Sequence, residues 1–298
     1  MAAEVLLSAN ELELLRFQSQ RLPGYRAHGT SQLSGAQLSL QRGAGLELED
    51  LRPYQIGDDV RHIAWRASAR SGRPISKVFR AERRQRILLL VEQHPGMGFA
   101  TRGELKASIA SRATALISFA ALRQGAQIGG MLVGKKHQFF QPASQLDQAL
   151  IMIGQVNLHP GHDYIAANPV DIIKQLQMLA QRHDTIYMIS DFQQWSEELH
   201  KPLAQLAEWH NLHALQIIDR GEQQLTAVGK LRIRSPFDGS ELIIDTDNAQ
   251  LRQQYALSMS DKQAKLEMLF RRNGVLHHQL FTDADILSPL AQALCPPL

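Results

Sequence analysis

Cys295 is the only cysteine in this 298-residue chain. A lone thiol excludes an internal disulfide and leaves thiolate metal sites without ligands. Aromatic residues are only 6% of the sequence, which leaves few platforms on which nucleic-acid bases could stack. Long apolar runs are missing too. The longest purely aliphatic stretch, Ile87 to Val91, falls far short of the roughly 20 residues a membrane-spanning helix needs. Met1 to Phe17 lacks a basic region and carries Glu4, Glu11 and Glu13, unlike a secretory or transit peptide. A cytoplasmic location without a membrane span is therefore expected. Neither Gly-x-x-x-x-Gly-Lys-Ser/Thr nor Gly-x-Ser-x-Gly occurs, so the chain is not expected to hydrolyse ATP itself.

What is present is ordinary in amount and uneven in place. Hydrophobic residues make up 44% and charged residues 20%, values of a folded globular protein with one large domain or two modest ones. Residues 52–86 hold ten Lys/Arg against Asp58, Asp59 and Glu82, a net +7, whereas the flanking stretches are each −2. Such a segment suits phosphate, an acidic partner, or acidic residues of its own fold.

Along the chain, Asn10 reads as the N-cap of a helix carrying Leu12 and Leu15 and stopped by Pro23-Gly24. Leu46 and Leu48 alternate with Glu47 and Glu49 as in a strand. Gly57 permits a turn, Asp58 or Asp59 caps a following helix, Arg66 and Arg70 suit its C-terminal dipole, and Gly72 with Pro74 ends it. Ile75 to Arg80 alternates as a strand, and Ile87 to Val91 reads as a strand buried on both faces. Helices are then expected near 104–123, 145–153, 168–182, 199–210 and 247–272, with strands near 127–133, 185–190, 212–218 and 276–281. This alternation specifies an α/β fold with a doubly wound, mostly parallel sheet. A β-hairpin interrupts it, with Leu231 and Ile233 facing Leu242 and Ile244 across Pro236 to Gly239. Two parts follow: 1–85, a mixed N-terminal segment with the Gly-Asp-Asp/Trp motif, and 86–298, the sheet domain.

Three features carry a family resemblance: Tyr54-x-x-Gly57-Asp58-Asp59-x-Arg61-x-Ile63-x-Trp65 with Ala69-Arg70, the buried strand at 87–91, and Ile189-Ser190-Asp191-Phe192 at the end of a later strand. The sequence resembles domain-of-unknown-function family 58, whose C-terminal part is similar to a von Willebrand factor type A domain. The resemblance spans roughly residues 40–290. It implies a bacterial protein that works with AAA+ ATPases of the MoxR type in assembly or chaperone-like roles. Trp65 is expected to be buried, anchoring the motif helix.

The resemblance also implies where a metal would sit. Type A domains hold Mg²⁺ with Asp-x-Ser-x-Ser after the first strand, a middle-loop Thr and a later Asp. Here the first motif aligns with Glu92-Gln93-His94-Pro95-Gly96, in which Gly96 offers no ligand and His94 offers a nitrogen that Mg²⁺ disfavours. Residues 145–184 contain no Ser or Thr. Only Ser190 and Asp191 fit, so the expectation is a degenerate site with Mg²⁺ lost and no cofactor.

Glu92, His94, His162, Asp163 and Asp191 are nonetheless expected together at the C-terminal edge of the sheet, where open α/β folds place ligands. Two accounts of them stand beside each other: solvated loop residues with Asp191 capping the turn after its strand, or a transition-metal site for a metal-dependent enzyme built on Glu92, His94 and Asp191. His210 with His213, and His277 with His278, which would point to opposite faces of a strand, read as structural or solvent-facing. In the basic segment, Arg70, Arg73 and Lys77 are candidates for partner binding; a nucleic-acid role for residues 52–86 is the further alternative. The first expectation is a non-enzymatic scaffold or adaptor that binds a MoxR-type AAA+ ATPase or its client. The residues carry no signal for oligomeric state.

Overall fold

The computed structural model describes residues 5–23, 46–55, 60–81, 85–134, 137–160, 168–235 and 239–294. It forms two compact units, Met1–His28 with Gln85–Leu298, and Gly29–Arg84. The segment expected over 1–85 therefore divides. Its first residues group with the sheet unit because Leu7, Leu15 and Leu22 are buried in that unit's core.

The first helix, α1 (Ala9–Gln18), is capped by Ser8 and not by Asn10. Ser8 Oγ accepts the Glu11 N–H while the Glu11 carboxylate accepts the Ser8 N–H, a reciprocal arrangement that satisfies two otherwise open donors.

The smaller unit contains β1 (Leu46–Pro53), α2 (Trp65–Ser71) and β2 (Ile75–Ala81), with the two strands antiparallel. The Ala64 N–H donates to the Ile75 carbonyl and the Ile75 N–H donates to Ser68 Oγ, pinning α2 onto the start of β2. Gly72 ends the helix with φ +68°, a left-handed conformation glycine adopts without steric cost. Gly57, Asp58 and Asp59, read as the turn and cap of this helix, lie outside the described residues, but α2 begins at Trp65 with Ala64 at its N-cap, so neither aspartate caps it. Trp65 overturns its expectation: it begins α2 and is 70% exposed. Small residues, Ala64 and Ser76, take the buried positions at this junction.

The larger unit is built on β3 (Arg86–Glu92), α3 (Lys106–Arg123), β4 (Gln127–Val133), β5 (Gln138–Ala143), α4 (Leu146–Val156), α5 (Pro169–Leu179), β6 (Thr185–Ser190), α6 (His200–Ala207), β7 (Asn211–Ile218), α7 (Arg220–Gln223), β8 (Lys230–Arg234), β9 (Glu241–Asp245), α8 (Ala249–Arg272), β10 (Leu276–Phe281) and α9 (Leu287–Leu294). Six strands form one sheet in the order β10-β7-β6-β3-β4-β5. All neighbours are parallel except β4 and β5. Strand alternation sorts the core: Ile87, Leu89 and Val91 join one apolar cluster with α1, α3, α4 and α9, whereas Leu88 and Leu90 join another with α5, α6 and α8. Burial on both faces is what a continuous aliphatic strand requires.

The β8–β9 hairpin pairs in the register read from the sequence, Leu231 with Ile244 and Ile233 with Leu242. Elements β5, α7 and α9 are additions to the sequence reading. Pro142 in β5 is tolerated because β5 is an edge strand.

Candidate functional site

The chain leaves β3 toward β4 on one side of the sheet, while β6 lies on the other. The C-terminal ends of β3 and β6 therefore flank a topological switch point, the usual ligand position in open α/β sheets. Glu92 ends β3, His94 follows it, and Ser190 ends β6 with Asp191 next. All four are buried. The account in which they are solvated loop residues is thus corrected: the sheet edge is roofed by the segments after β3, β6 and β7.

Each group is held by partners. Glu92 accepts the Ser190 hydroxyl on one oxygen and, at 3.4 Å, the Trp195 indole N–H on the other. Burial pushes the Glu92 carboxyl above its ordinary value, against the lowering effect of the Ser190 hydrogen bond. Asp191 Oδ1 lies 3.0 Å from His94 Nε2 and accepts the Gln193 N–H, as a turn cap would. Phe192, between them, has φ +56°, a conformation costly for an aromatic residue. Its ring packs edge-on against Trp195 and Phe270, so the turn that presents Asp191 is fixed by core packing. His94 Nδ1 accepts the Gly96 N–H at 3.2 Å, which requires a lone pair there and makes Nε2 the donor to Asp191. Burial lowers the proton affinity of the His94 ring, and the Asp191 hydrogen bond and charge more than offset it.

The residue that sequence reasoning missed is Lys106. Its side chain is fully buried, and Nζ donates to Asp191 Oδ2 at 2.8 Å and to both oxygens of Glu222 at 2.8 and 2.9 Å. Burial by itself lowers the affinity of Lys106 for its proton, but the two carboxylates outweigh that and hold the ammonium above its ordinary value. Burial likewise raises Asp191, and the Lys106 charge with the His94 hydrogen bond reverses it, leaving the carboxyl well below the usual range. A signal was present: a lysine as the first residue of α3 opposes the helix dipole, so it calls for nearby carboxylates.

These donors do not fit Mg²⁺. Both Asp191 oxygens are engaged, Gly96 brings no side chain, and an ammonium already sits 2.8 Å from the oxygen a cation would use. Among the described residues no group of three or more His, Cys, Asp or Glu is placed to hold a metal ion. His162 and Asp163 lie outside the described residues.

Glu222 comes from α7, whose cap Asp219 is itself a junction. Asp219 accepts the Thr101 N–H and hydroxyl, the Thr282 hydroxyl and the Gly221 N–H, tying the ends of β7 and β10 to the loop before α3. Gly103 in that loop has φ +78°, and a Cβ there would lie 2.0 Å from the Thr282 carbonyl oxygen.

The other histidines lie elsewhere. His213 lies tilted against Tyr187 and stacks on His278, while His277 meets Phe270 on the opposite face of β10. Burial lowers His278 to about 4. In the smaller unit Arg66, Arg70, Arg73 and Lys77 are exposed, and none makes an ion pair with a described residue. Tyr54 bonds through its backbone N–H to the Pro74 carbonyl, and Arg61 is exposed.

The family model described as "Protein of unknown function DUF58" matches residues 50–265. The chain belongs to the DUF58 family. This DUF58 chain is similar to the uncharacterized protein Rv1480 of Mycobacterium tuberculosis (strain ATCC 25618 / H37Rv), with 25% identity over 87% of this chain and 82% of that protein. Among solved structures it is similar to the conserved hypothetical protein BatB from Bacteroides thetaiotaomicron, at 11% identity and a TM-score of 0.46 over 70% of this chain and 96% of that one. It is also similar to the SpRpn10 VWA domain, at 9% identity and a TM-score of 0.36 over 71% of this chain and 95% of that one. No described helix of this DUF58 chain is long and apolar enough to cross a membrane.

Proposed function

We propose that this protein is a non-enzymatic interaction scaffold of the cytoplasm that docks onto an acidic surface of a MoxR-type AAA+ ATPase or of its client. One observation carries the reading: α2 and the strand after it present an exposed Trp65 beside four exposed cations, Arg66, Arg70, Arg73 and Lys77. Arg66 and Arg70 are four residues apart in one helix and share a face. Trp and Arg are residue types enriched at interface hot spots, and exposed cations on a short helix and the strand after it steer an acidic partner. The absence of a reaction of its own is supported by the sheet edge, where Asp191 is held by both Lys106 and His94. The choice of a MoxR-type partner rests on the family resemblance alone.

The test is a charge reversal, Arg70→Glu with Arg73→Glu and Lys77→Glu, assayed by capture of the cognate ATPase at two salt concentrations. Capture is expected to fall in the variant and to fade with salt for the wild type. Equal capture by variant and wild type overturns the proposal. Submicromolar binding of single-stranded DNA or RNA at physiological salt, with Trp65 as a stacking platform, would replace it with a nucleic-acid reading.

A further inference from the structure

We propose that Lys106 is the centre of a carboxylate-binding site, filled within the chain by Glu222 and open to exchange with a carboxylate side chain of a bound protein. This rests on the protein-interaction reading above and names the chemistry recognised at the switch point.

The Lys106 ammonium offers three donors at the end of the sheet where a ligand of an α/β fold would lie. One goes to Asp191, which is anchored in turn by His94 and the Gln193 N–H. The others go to both oxygens of one carboxylate, that of Glu222. The two acids differ in setting. The Asp191 side chain is 2% exposed and that of Glu222 is 27% exposed, so Glu222 is the member of the triad that faces solvent. Its other side-chain neighbour is the exposed Gln193, at 3.4 Å.

The backbone beneath Glu222 is fixed by its neighbours. The Glu222 carbonyl accepts the Tyr255 hydroxyl at 2.8 Å, the Glu222 N–H donates to the Asp219 carbonyl, and Gly221 packs where a Cβ would lie 2.4 Å from Thr101 Cγ2. Glu222 is thus the partly exposed partner of Lys106, carried on a backbone that its neighbours fix. Burial outweighs the pull of Lys106 and holds the Glu222 carboxyl above its ordinary value, whereas Asp191 is held below. The resident acid is therefore the less firmly held of the two. A buried ammonium stripped of one partner is costly, so an incoming carboxylate recovers what the departure of Glu222 loses.

Chemical rescue tests this in the full chain. Glu222→Ala removes the resident carboxylate and leaves a small cavity over Lys106. Propionate, compared with chloride at equal ionic strength, is expected to raise the melting temperature of Glu222→Ala saturably, by about 3 °C or more at ten times its dissociation constant. The wild type, and Glu222→Ala combined with Lys106→Met, are expected to respond no more to propionate than to chloride. If Glu222→Ala does not fold unaided, refolding yield in propionate against chloride gives the same comparison. Equal response to the two salts, or a response that survives Lys106→Met, overturns the site. ATPase capture by Glu222→Ala separates the two proposals: capture without rescue removes only this one, and rescue without capture by the wild type removes only the partner.

Discussion

Lys106 Nζ lies 2.8 Å from Asp191 Oδ2, with both side chains buried. The lysine heads the first helix after β3 and the aspartate follows β6, so this pair ties together the two sides of the switch point. An ion pair so placed adds little net stability over an apolar pair of equal size, yet breaking one half leaves the other charge stranded.

Lys106→Met is therefore expected to cost about 3–5 kcal/mol in denaturant melts. A loss below about 1 kcal/mol would show that Asp191 and Glu222 find other partners. The pH dependence has a definite sign. Because the folded-state value of Lys106 is raised, its contribution is complete below the ordinary value of 10.5 and is lost only as pH rises through the raised one. The stability difference between wild type and Lys106→Met should stay flat from neutral pH to about 10.

Millimolar Mg²⁺ is expected to leave the melting temperature unchanged, since a ligand stabilises only in proportion to its concentration over its dissociation constant. Titration calorimetry checks it. Micromolar Mg²⁺ binding that Asp191→Ala abolishes would overturn the assignment of the Asp191 oxygens to Lys106 and His94.

Trp65→Ala should change stability by less than about 0.5 kcal/mol, as for other exposed positions, while weakening capture of the ATPase. A loss of several kcal/mol would place the ring in a core. Equal capture at unchanged stability would remove Trp65 from the docking face.

His278 sets an acid-side window. Its folded value is lowered from 6.5 to about 4 by burial, so the unfolded chain binds the proton first. Stability from this residue is complete above pH 6.5 and falls as pH drops from 6.5 toward 4. His278→Gln should flatten that part of the profile relative to wild type. Parallel profiles would mean that another group controls it.

Much of the architecture was legible because its signals are local. The run Ile87 to Val91 demanded a strand covered on both faces, Gly72 ended a helix at a left-handed position, and alternating aliphatics set the Leu231/Ile244 register. The meeting of Glu92, His94 and Asp191 at one edge followed from strand order in an alternating chain. Edge strand β5, with its proline, and the eight-residue α9 carry weaker patterns, and neither was anticipated.

The sequence by itself determined the alternating α/β fold and the hairpin register. Only the tertiary structure decided that Trp65 faces solvent and that Lys106 balances Asp191 and Glu222. Lys106 lies 85 and 116 positions from those acids. Helix and strand periods report on neighbours within a few residues, whereas a buried charge selects its partners across the fold, from whatever groups the packing of β3, β6 and α7 brings within hydrogen-bond reach.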